Sequence, residues 1–408
     1  MKVWLLRASE LMPVVDGNDR LLRMGMLAEE LSNRNHSITW FASAFNHFKK
    51  KQYSKKDTIV QVKENYNLNL IHANGYKKNI SIARILNHRI IAFKLKRKMK
   101  QMEKPDIIYA SFPTVEFAHE AVKYGKKNNI PVVIDVRDLW PDIFNHNLKG
   151  LIRILSIPYV KYLNLKTKKI MRDCYAITSI SPSMLDWGLL KGDRKKTSKD
   201  KYFYIGYQKN SIKSIKTKNL LVKNKFNICF FATINNQFNY DVIVNLGVKL
   251  KNDDVDILIC GTGPNLDRFK NKVKDKKLDN IKFLGWQDKE NLNYILSNSQ
   301  IGFAPYKNTF DFQMSVSNKF AEYLSYGLPV LMTSTGYMKS LIDEYQVGCA
   351  SLDVNDLYRF IMDMKKNPNK REIKSKNAIK LFDEKFDANK IYIDLANYLE
   401  KIEKEYTK

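Results

Sequence analysis

Short apolar runs alternate with amphipathic stretches along most of the chain. The runs are rich in β-branched and aromatic residues, as in KVWLL, SITWFAS, DIIYAS and PVVIDV early in the chain and FNICFFA, VDILICGTG, NIKFLGW and LPVLMT later. Between them, segments such as RLLRMGMLAEELSNR and FAHEAVKYGKKNN carry apolar residues at helical spacing. Such alternation is typical of a parallel sheet with helices on both faces. The sequence therefore predicts an α/β protein.

The alternation stops between about residues 189 and 225, where the chain is rich in lysine and poor in core residues. A chain of 408 residues also exceeds what one hydrophobic core usually organises. We therefore predict two doubly wound, Rossmann-like domains facing a cleft, at 1–205 and 225–385, joined by a basic linker at 206–224. Residues 386–408 have apolar residues at helical spacing and are predicted to form a C-terminal helix.

The composition is that of an ordinary globular protein, with 44% apolar and 27% charged residues. We expect neither a membrane span nor a signal peptide, because no apolar run is long enough and the N-terminal run breaks early. The four cysteines are scattered, which favours reduced thiols in a cytoplasmic protein. The net charge of +28 calls for an anionic partner, although a general excess of Lys, Asn and Ile explains it equally well.

Two basic amphipathic stretches, residues 80–102 and 149–172, are the best candidates for using that charge. Helices of this kind lie on anionic bilayers, with each nearby basic side chain adding on the order of 1 kcal/mol. Packing against the domain core explains the apolar residues without a membrane. Nucleic acid is not expected as a partner, because the basic residues are not interleaved with aromatic stacking residues. We expect a cytoplasmic protein that binds peripherally to the inner face of the cell membrane.

The segment SNKFAEYLSYGLPVL places three polar side chains on one face of a predicted helix. Asn318 and Lys319 fall in its first turn, where free N–H groups and the helix dipole favour an anion such as a diphosphate. Glu322 follows on the same face and is suited to accept hydrogen bonds from the two hydroxyls of a ribose. For an isolated glutamate, however, a solvated helix face is the more common position.

Glycines and an aromatic residue follow two strands of the second domain. Gly261 and Gly263 end the strand in ILICGTGPN, where they either let the backbone approach a phosphate or ribose or simply form a turn. Gly285 and Trp286 end the strand in NIKFLGWQD. Trp286 is suited to border a nucleobase and is equally well explained as a core residue.

Two segments of the first domain hold further candidates. Arg137 and Asp138 end the strand in PVVIDVRDLWPD, where charged groups hold hydroxyls or act as a base. An ion pair of Arg137 with Asp138 or Asp142 that shapes the loop is equally consistent with the sequence. Gly17 and Asn18 lie between the first strand and first helix, where a backbone nest for an acceptor or phosphate and a capped tight turn are both consistent with the sequence.

No metal or cofactor site is expected. Asp254 and Asp256 form an Asp-x-Asp pair, which holds a metal in some enzymes that transfer sugars. They precede a strand, however, and so lie at the opposite end of a parallel sheet from the carboxyl ends, where ligands bind. The histidines form no metal-binding spacing.

The chain resembles the family 4 glycosyltransferases of GT-B fold, in particular the bacterial branch that builds capsule and O-antigen saccharides. The segments that carry the resemblance are GNDRLLRMGMLAEELSNRNHSITWF, DVRDLWPD, CGTGPN with NIKFLGW and GFAPY, and SNKFAEYLSYGLPVL, of which the last is the most specific. The fold it implies has the C-terminal helix packing back toward the first domain. The activity it implies is a metal-independent, retaining transfer of a sugar from a nucleotide diphosphate.

The resemblance also assigns roles to matching positions. The second domain would hold the donor, with Glu322 at the ribose and Asn318 and Lys319 at the diphosphate. Residues Gly285 to Gln287 would border the base. The first domain would hold the acceptor, with Asp138 near the catalytic polar position and Gly17 near the loop beneath the donor phosphates.

The sequence departs from the family pattern in two places that bear on activity. Many members carry a second glutamate eight residues before the first, where this chain has Met314. The usual Arg and Lys phosphate pair is absent from FFATINNQFNYD, so Lys319 would carry more of the diphosphate charge.

The function that the sequence favours is a hexosyl- or N-acetylhexosaminyltransferase that uses a nucleotide-sugar donor and extends a lipid-linked or polysaccharide acceptor. UDP is the most common carrier in the family that the chain resembles. Two alternatives stay open: an enzyme similar to nucleotide-sugar 2-epimerases, and a binding or scaffold protein of this fold without turnover, which Met314 motivates.

Overall fold

The computed structural model describes residues 1–12, 15, 21–148, 150–209 and 225–407. The predicted loop residues Gly17 and Asn18 therefore lie outside the described residues. The chain forms two compact units, the first comprising Met1–Tyr204 and Asn389–Lys408 and the second Ile205–Ala388. The described part of the predicted linker, residues 206–209, falls in the second unit.

Ten strands form among the described residues of the first unit. They are β1 (Lys2–Leu6), β2 (Ser37–Ser43), β3 (Phe45–Asn46), β4 (Lys51–Gln52), β5 (Thr58–Lys63), β6 (Tyr66–Ile71), β7 (Ile107–Phe112), β8 (Val132–Val136), β9 (Ala176–Ser179) and β10 (Lys201–Tyr202). Eight of them make one sheet in the order β10-β9-β8-β7-β1-β2-β6-β5, parallel except for β5 against β6. The remaining two strands, β3 and β4, form a small hairpin. Apart from two edge strands, the sheet is buried, as its apolar sequence predicts.

The helices of the first unit connect these strands. They are α1 (Arg23–Asn33), α2 (Ile82–Gln101), α3 (Val115–Asn128), α4 (Asp142–Asn147), α5 (Gly150–Asp173) and α6 (Pro182–Gly192). The two basic stretches singled out in the sequence thus form α2 and α5, as predicted. Ser81 caps α2 through its side chain, which accepts from the Arg84 N–H. No helix in the described part of the chain is long and apolar enough to cross a bilayer.

A buried ion pair fixes α1 to the sheet of the first unit. The Arg23 guanidinium donates from Nε and Nη2 to the two carboxylate oxygens of Asp135 on β8, each at 2.9 Å. Its Nη1 donates to the carbonyls of Phe203 and Tyr204, both at 2.9 Å. Because both charges are buried, their mutual hydrogen bonds compensate the loss of water.

The C-terminal helix α15 (Ala388–Thr407) packs on the first unit. Arg34 at the end of α1 lies 3.2 Å from the Glu400 carboxylate, and the Tyr398 hydroxyl donates to the Lys199 carbonyl at 2.7 Å. This contact confirms the predicted return of the C-terminal helix to the first unit.

The second unit contains a fully parallel sheet. Its strands are β11 (Phe226–Phe231), β12 (Val255–Cys260), β13 (Ile281–Gly285), β14 (Ile301–Ala304), β15 (Val330–Met332) and β16 (Gly348–Ala350), in the order β13-β12-β11-β14-β15-β16. Its helices are α7 (Tyr240–Lys249), α8 (Leu266–Asp275), α9 (Lys289–Ser297), α10 (Phe310–Met314), α11 (Asn318–Ser325), α12 (Tyr337–Tyr345), α13 (Val354–Lys366) and α14 (Pro368–Lys385). The order reverses at β11, and ligands of doubly wound sheets bind beyond the carboxyl ends of strands at such a point.

Candidate active site

Helix α11 begins at Asn318, in agreement with the predicted helix start. Ser317 precedes it with extended backbone, and its hydroxyl accepts from the Phe320 N–H at 3.2 Å. Capping therefore satisfies one of the N–H groups that a helix leaves without an intrahelical partner at its start. Asn318 and Lys319 occupy the first two helical positions, at the positive end of the helix dipole.

The start of α11 lies close to the carboxyl end of the sheet. The Tyr323 hydroxyl donates to the Phe303 carbonyl in β14 at 2.8 Å, and the Tyr323 ring contacts Phe231, the last residue of β11. Gly302 makes this approach possible, since a Cβ there would lie 2.3 Å from the Tyr323 ring. The packing holds α11 beside the point where the strand order reverses.

Two phenylalanine rings place the Lys319 ammonium. Its Nζ lies 5.4 Å from the centre of the Phe231 ring and 5.5 Å from that of Phe238. Cation–π contacts of this kind hold an ammonium without neutralising its charge. The arrangement therefore places a positive charge next to the carboxyl end of β11.

Glu322 is buried, with only 7% of its surface exposed. The Tyr207 hydroxyl donates to its Oε1 at 3.0 Å. Tyr207 is itself fixed by its backbone, which donates to the Phe386 carbonyl at 2.9 Å and accepts from the Ala388 N–H at 3.2 Å. The interpretation of Glu322 as part of a solvated helix face is therefore wrong. Sequence reasoning missed Tyr207, because it lies in the polar stretch taken for a linker.

Aromatic residues pack beneath this carboxylate. Burial raises the pKa of Tyr306 to about 12, a hydrogen bond with Ser317 opposes the rise, and the Glu322 charge adds to it. The Tyr306 ring stacks on Phe312 with centres 4.3 Å apart. The Tyr306 phenol therefore lies beside Ser317 at the start of α11 and within the electrostatic field of Glu322.

The structure explains Gly261 and Gly263 by close backbone contact. Gly261 has φ of +142°, and a Cβ there would lie 1.8 Å from the Ala232 carbonyl oxygen. The Gly263 loop likewise meets Ile234, whose N–H donates to the Thr262 carbonyl at 2.8 Å. The glycines are needed to pack the loop after β12 against the loop after β11, and their proposed contact with a ligand stays a prediction.

The residues after β13 are more accessible. Trp286 is 71% exposed, so the alternative of a core tryptophan is wrong. Gly285 has φ of +71°, and the Gln287 amide donates to the Leu284 carbonyl. These residues form a turn with an exposed indole, and their contact with a nucleobase stays a prediction.

A charged cluster occupies the carboxyl end of the first unit's sheet. Arg137 donates from Nη1 to the buried Glu10 carboxylate at 2.8 Å. The other Glu10 oxygen accepts from the N–H groups of Met24 and Gly25, at 2.8 and 3.1 Å, at the start of α1. Asp138 accepts from the Leu139 N–H at 2.8 Å through its Oδ1. Arg137 is thus part of the link between α1 and β8.

Arg7, like Glu10, belongs to this cluster and was missed by sequence reasoning. Its Nη1 donates to the Ser111 hydroxyl at 3.1 Å and to the Pro113 carbonyl at 2.9 Å. Burial lowers its pKa to about 10, and the nearby Arg137 charge lowers it further. The only sequence signal was the position of Arg7 and Glu10 directly after the first strand.

The Asp-x-Asp pair lies at the amino end of β12, as expected. Asp256 is buried and lies 3.4 Å from the Lys225 ammonium. Within the described ranges, no three His, Cys, Asp or Glu side chains come together where they would hold a metal ion.

Solved structures with the same fold span essentially the whole chain. HepE from Anabaena, solved with UDP, has a TM-score of 0.71 at 13% identity and covers 98% of this chain and 99% of its own. Sucrose-phosphate synthase from Thermosynechococcus elongatus has a TM-score of 0.72 at 12% identity, covering 98% of both chains. WaaG, a glycosyltransferase involved in lipopolysaccharide biosynthesis, has a TM-score of 0.63 at 10% identity and covers 97% and 99%. The fold is therefore GT-B, as the resemblance implied.

A family model agrees with this fold in the second unit. Residues 211–381 match the family described as glycosyl transferases group 1, and that range includes the whole of α11. Among curated proteins, none matches the chain. The chain thus has the GT-B fold, and residues 211–381 within it are similar to the group 1 glycosyl transferases.

Proposed function

We propose that the protein is a retaining glycosyltransferase that moves a sugar from a nucleotide diphosphate, UDP in the first instance, to a lipid-linked or polysaccharide acceptor. The observation that carries this proposal is the start of α11, where Lys319 and the buried Glu322 share a helix face within the group 1 domain. HepE has been solved with UDP and with UDP-glucose, which supports UDP as the carrier.

In this proposal the donor diphosphate lies at the amino end of α11. The helix dipole and the Lys319 ammonium stabilise the negative charge that builds up on the leaving diphosphate. Glu322 accepts hydrogen bonds from the vicinal ribose hydroxyls, and a hydrogen bond from the Tyr207 hydroxyl helps to orient its carboxylate. The positive charge needed for departure comes from the protein, so the transfer does not depend on a divalent metal.

The transfer itself is proposed to proceed from the front face of the sugar. The bond between the anomeric carbon and the diphosphate oxygen breaks, and the acceptor hydroxyl oxygen forms the new bond on the same face. The departing diphosphate takes the hydroxyl proton, so the anomeric configuration is retained. Asp138 acts on the acceptor side as a polar catalytic group, and Arg137 supports that loop through Glu10.

The donor site is tested with Glu322→Gln, which removes the charge but keeps the shape and one carbonyl oxygen. Calorimetric titration with UDP and GDP, each with EDTA and with Mg²⁺, should show UDP binding to the wild type that the variant weakens about tenfold or more. The matched control is Glu344→Gln, the same substitution at an exposed position on α12 of the same unit. A circular dichroism melt of each protein checks folding.

The result also separates the open alternatives. Loss of UDP affinity only in Glu322→Gln, with a product that keeps the donor's anomeric configuration by NMR, supports the retaining transferase. Conversion of a UDP-sugar without any acceptor would instead support the 2-epimerase alternative. Absence of nucleotide binding by folded wild type would contradict the proposal and favour a scaffold protein. Equal activity in EDTA and Mg²⁺ is expected from the proposed chemistry.

We further propose that the acceptor is reached at an anionic membrane surface, through α2 and α5. Both helices expose large apolar side chains together with many basic residues; the exposed apolar residues are Ile82, Leu86, Ile90, Phe93, Leu151, Ile152, Ile154, Leu155, Ile157 and Leu165. An exposed apolar surface of this extent is unusual for a protein that meets only water. It supports peripheral binding at the inner face of the cell membrane.

Vesicle sedimentation tests this part of the proposal. The protein should pellet with phosphatidylglycerol vesicles, stay in the supernatant with phosphatidylcholine vesicles, and be partly released by 0.5 M salt, because salt screens charge beyond roughly 10 Å. Replacing Leu151 and Leu155 by serine should weaken the pelleting without changing UDP binding. Equal binding to both vesicle types would contradict a role for the basic charge.

A further inference from the structure

An apolar groove opens between α2 and α5 of the first unit. Its volume is about 180 Å³. Most of its wall is aliphatic or aromatic. The inference depends on five of the lining residues: Arg84 and Trp140, and the apolar Phe144, Ile152 and Leu155. Ile152 and Leu155 are also strongly exposed, so the groove continues into the exposed apolar surface of α5.

Arg84 brings a positive charge into this apolar wall. Its Nη1 donates to the Asn79 carbonyl at 2.8 Å, and its guanidinium lies 4.8 Å from the centre of the Trp140 ring. Among the residues that the structure describes, no carboxylate forms an ion pair with it, and its buried Nε has no hydrogen-bond partner. A guanidinium that is largely removed from water without a paired anion costs free energy.

Further basic groups surround Arg84. The Lys50 ammonium lies 4.8 Å from the centre of the Tyr76 ring, and His47 Nδ1 lies 2.6 Å from the Tyr76 hydroxyl. Burial, together with the Arg84 and Lys50 charges, lowers the pKa of His47 to about 4, so its ring is neutral near pH 7 and the positive charge here comes from Arg84 and Lys50. Two carboxyls face this region: Glu116 from α3, which lies 3.9 Å from His88 Nδ1 and whose pKa burial raises, and Asp138 after β8. Burial lowers the pKa of Arg84, and the Asp138 charge only partly opposes this fall. The Arg84 part of the groove therefore favours an anion.

The groove thus has two chemically different parts: a cationic part at Arg84 and an aliphatic part that opens toward exposed hydrophobic helices. An amphiphile with a phosphate head and an aliphatic chain matches both parts. A free phosphate would leave the aliphatic wall uncovered, and an uncharged chain would leave Arg84 without an anion. The complementarity in charge and polarity selects one kind of occupant.

We propose that this groove binds the lipid phosphate part of the acceptor, with Arg84 at the phosphate and Phe144, Ile152 and Leu155 along the aliphatic chain. The inference rests on the proposed transferase function and narrows its acceptor from lipid-linked or polysaccharide to lipid phosphate. It adds a binding site in the first unit, separate from the donor site on α11.

Calorimetric titration with dodecyl phosphate below its micelle concentration tests the site. The wild type should bind one equivalent, and Arg84→Gln should bind at least about tenfold more weakly, because a hydrogen-bonded charge pair is lost. The matched control is Arg97→Gln, which removes an exposed arginine about four turns further along α2 and should bind like the wild type. Leu155→Ser, at a position 71% exposed, tests the chain-binding wall without disturbing the core and should also weaken binding.

Each alternative occupant has its own outcome. Inorganic phosphate binding as tightly as dodecyl phosphate would overturn the proposal in favour of a simple anion site. Equal weakening by Arg84→Gln and Arg97→Gln would overturn it in favour of unspecific charge. UDP titration of the same proteins separates the two proposals. If the wild type binds dodecyl phosphate but no nucleotide, the lipid phosphate groove is supported and the transferase function is rejected. If it binds UDP but not dodecyl phosphate, only the groove is rejected.

Discussion

The two sheets carry charged residues at their carboxyl ends in different ways. In the first unit, Arg137 and Glu10 bond to each other, and Glu10 also binds the backbone at the start of α1. In the second unit, Lys319 lies over two phenylalanine rings and Glu322 accepts from a tyrosine hydroxyl. In the first unit the charged groups link a helix to the sheet, whereas in the second unit aromatic rings and a phenol are among the groups that position the two charges. The partners of a charge, more than its position at a strand end, therefore indicate its role.

The largest effect, on the free energy of unfolding, is expected from breaking the buried ion pair of Arg23 and Asp135 in the first unit. Arg23→Met leaves the Asp135 carboxylate buried without its partner, so the free energy of unfolding should fall by about 3–5 kcal/mol. Urea denaturation followed by circular dichroism measures the change. Replacing both residues, as in Arg23→Met with Asp135→Leu, should recover much of the loss. A loss below about 1 kcal/mol for Arg23→Met would contradict the structural role.

The same pair predicts a dependence on acid. Burial raises the pKa of Asp135 and the Arg23 charge lowers it, with a net fall below the ordinary value of 3.8. A carboxyl with a depressed folded pKa contributes stability that is complete above its unfolded pKa and is lost as the pH falls through the folded value. Wild-type stability should therefore drop more steeply below about pH 4 than that of the double variant. Parallel curves for the two proteins would contradict the pairing.

An intermediate effect, on the rate of transfer, is expected at Asp138, the predicted catalytic residue that follows β8 in the first unit. Asp138→Asn keeps an oxygen for the Leu139 N–H and removes the charge. The transfer rate should fall about 100-fold, as for loss of a proton-handling group, while the UDP dissociation constant stays unchanged. Steady-state kinetics with calorimetry measures both quantities. A rate within threefold of wild type would show that Asp138, like Arg137, belongs to the architecture.

The smallest effect is expected at the residue that holds the donor carboxylate. Tyr207→Phe removes one hydrogen bond to Glu322, worth about 1–2 kcal/mol, so UDP affinity should fall about five- to thirtyfold. Tyr202→Phe, at an exposed position, provides the control. Unchanged affinity in Tyr207→Phe would mean that Glu322 needs no positioning.

Much of the fold follows from local patterns in the sequence. The apolar strands, the helices at the two basic stretches and the start of α11 were predicted because periodicity and capping act over a few residues. Glu322 on the face of Asn318 and Lys319 follows from helix geometry in the same way. These are the features for which the sequence neighbours of a residue are also its spatial neighbours.

The remaining features depend on contacts between distant segments. Tyr207 reaches Glu322 across 115 positions of sequence, and Arg137 reaches Glu10 across 127. No periodicity encodes such a pair, so Tyr207 was assigned to a linker and the partner of Arg137 was not foreseen. The burial of Glu322 and the exposure of Trp286 likewise depend on which segments cover them.

The backbone of Tyr207 pairs with the chain next to Asp387, so the second unit begins and ends at neighbouring points. A segment whose two ends meet can be inserted into a host protein, or removed from it, without stretching the host chain. Residues 205–388 therefore form a unit with neighbouring ends, which is the layout of a segment that can be exchanged as a whole between chains.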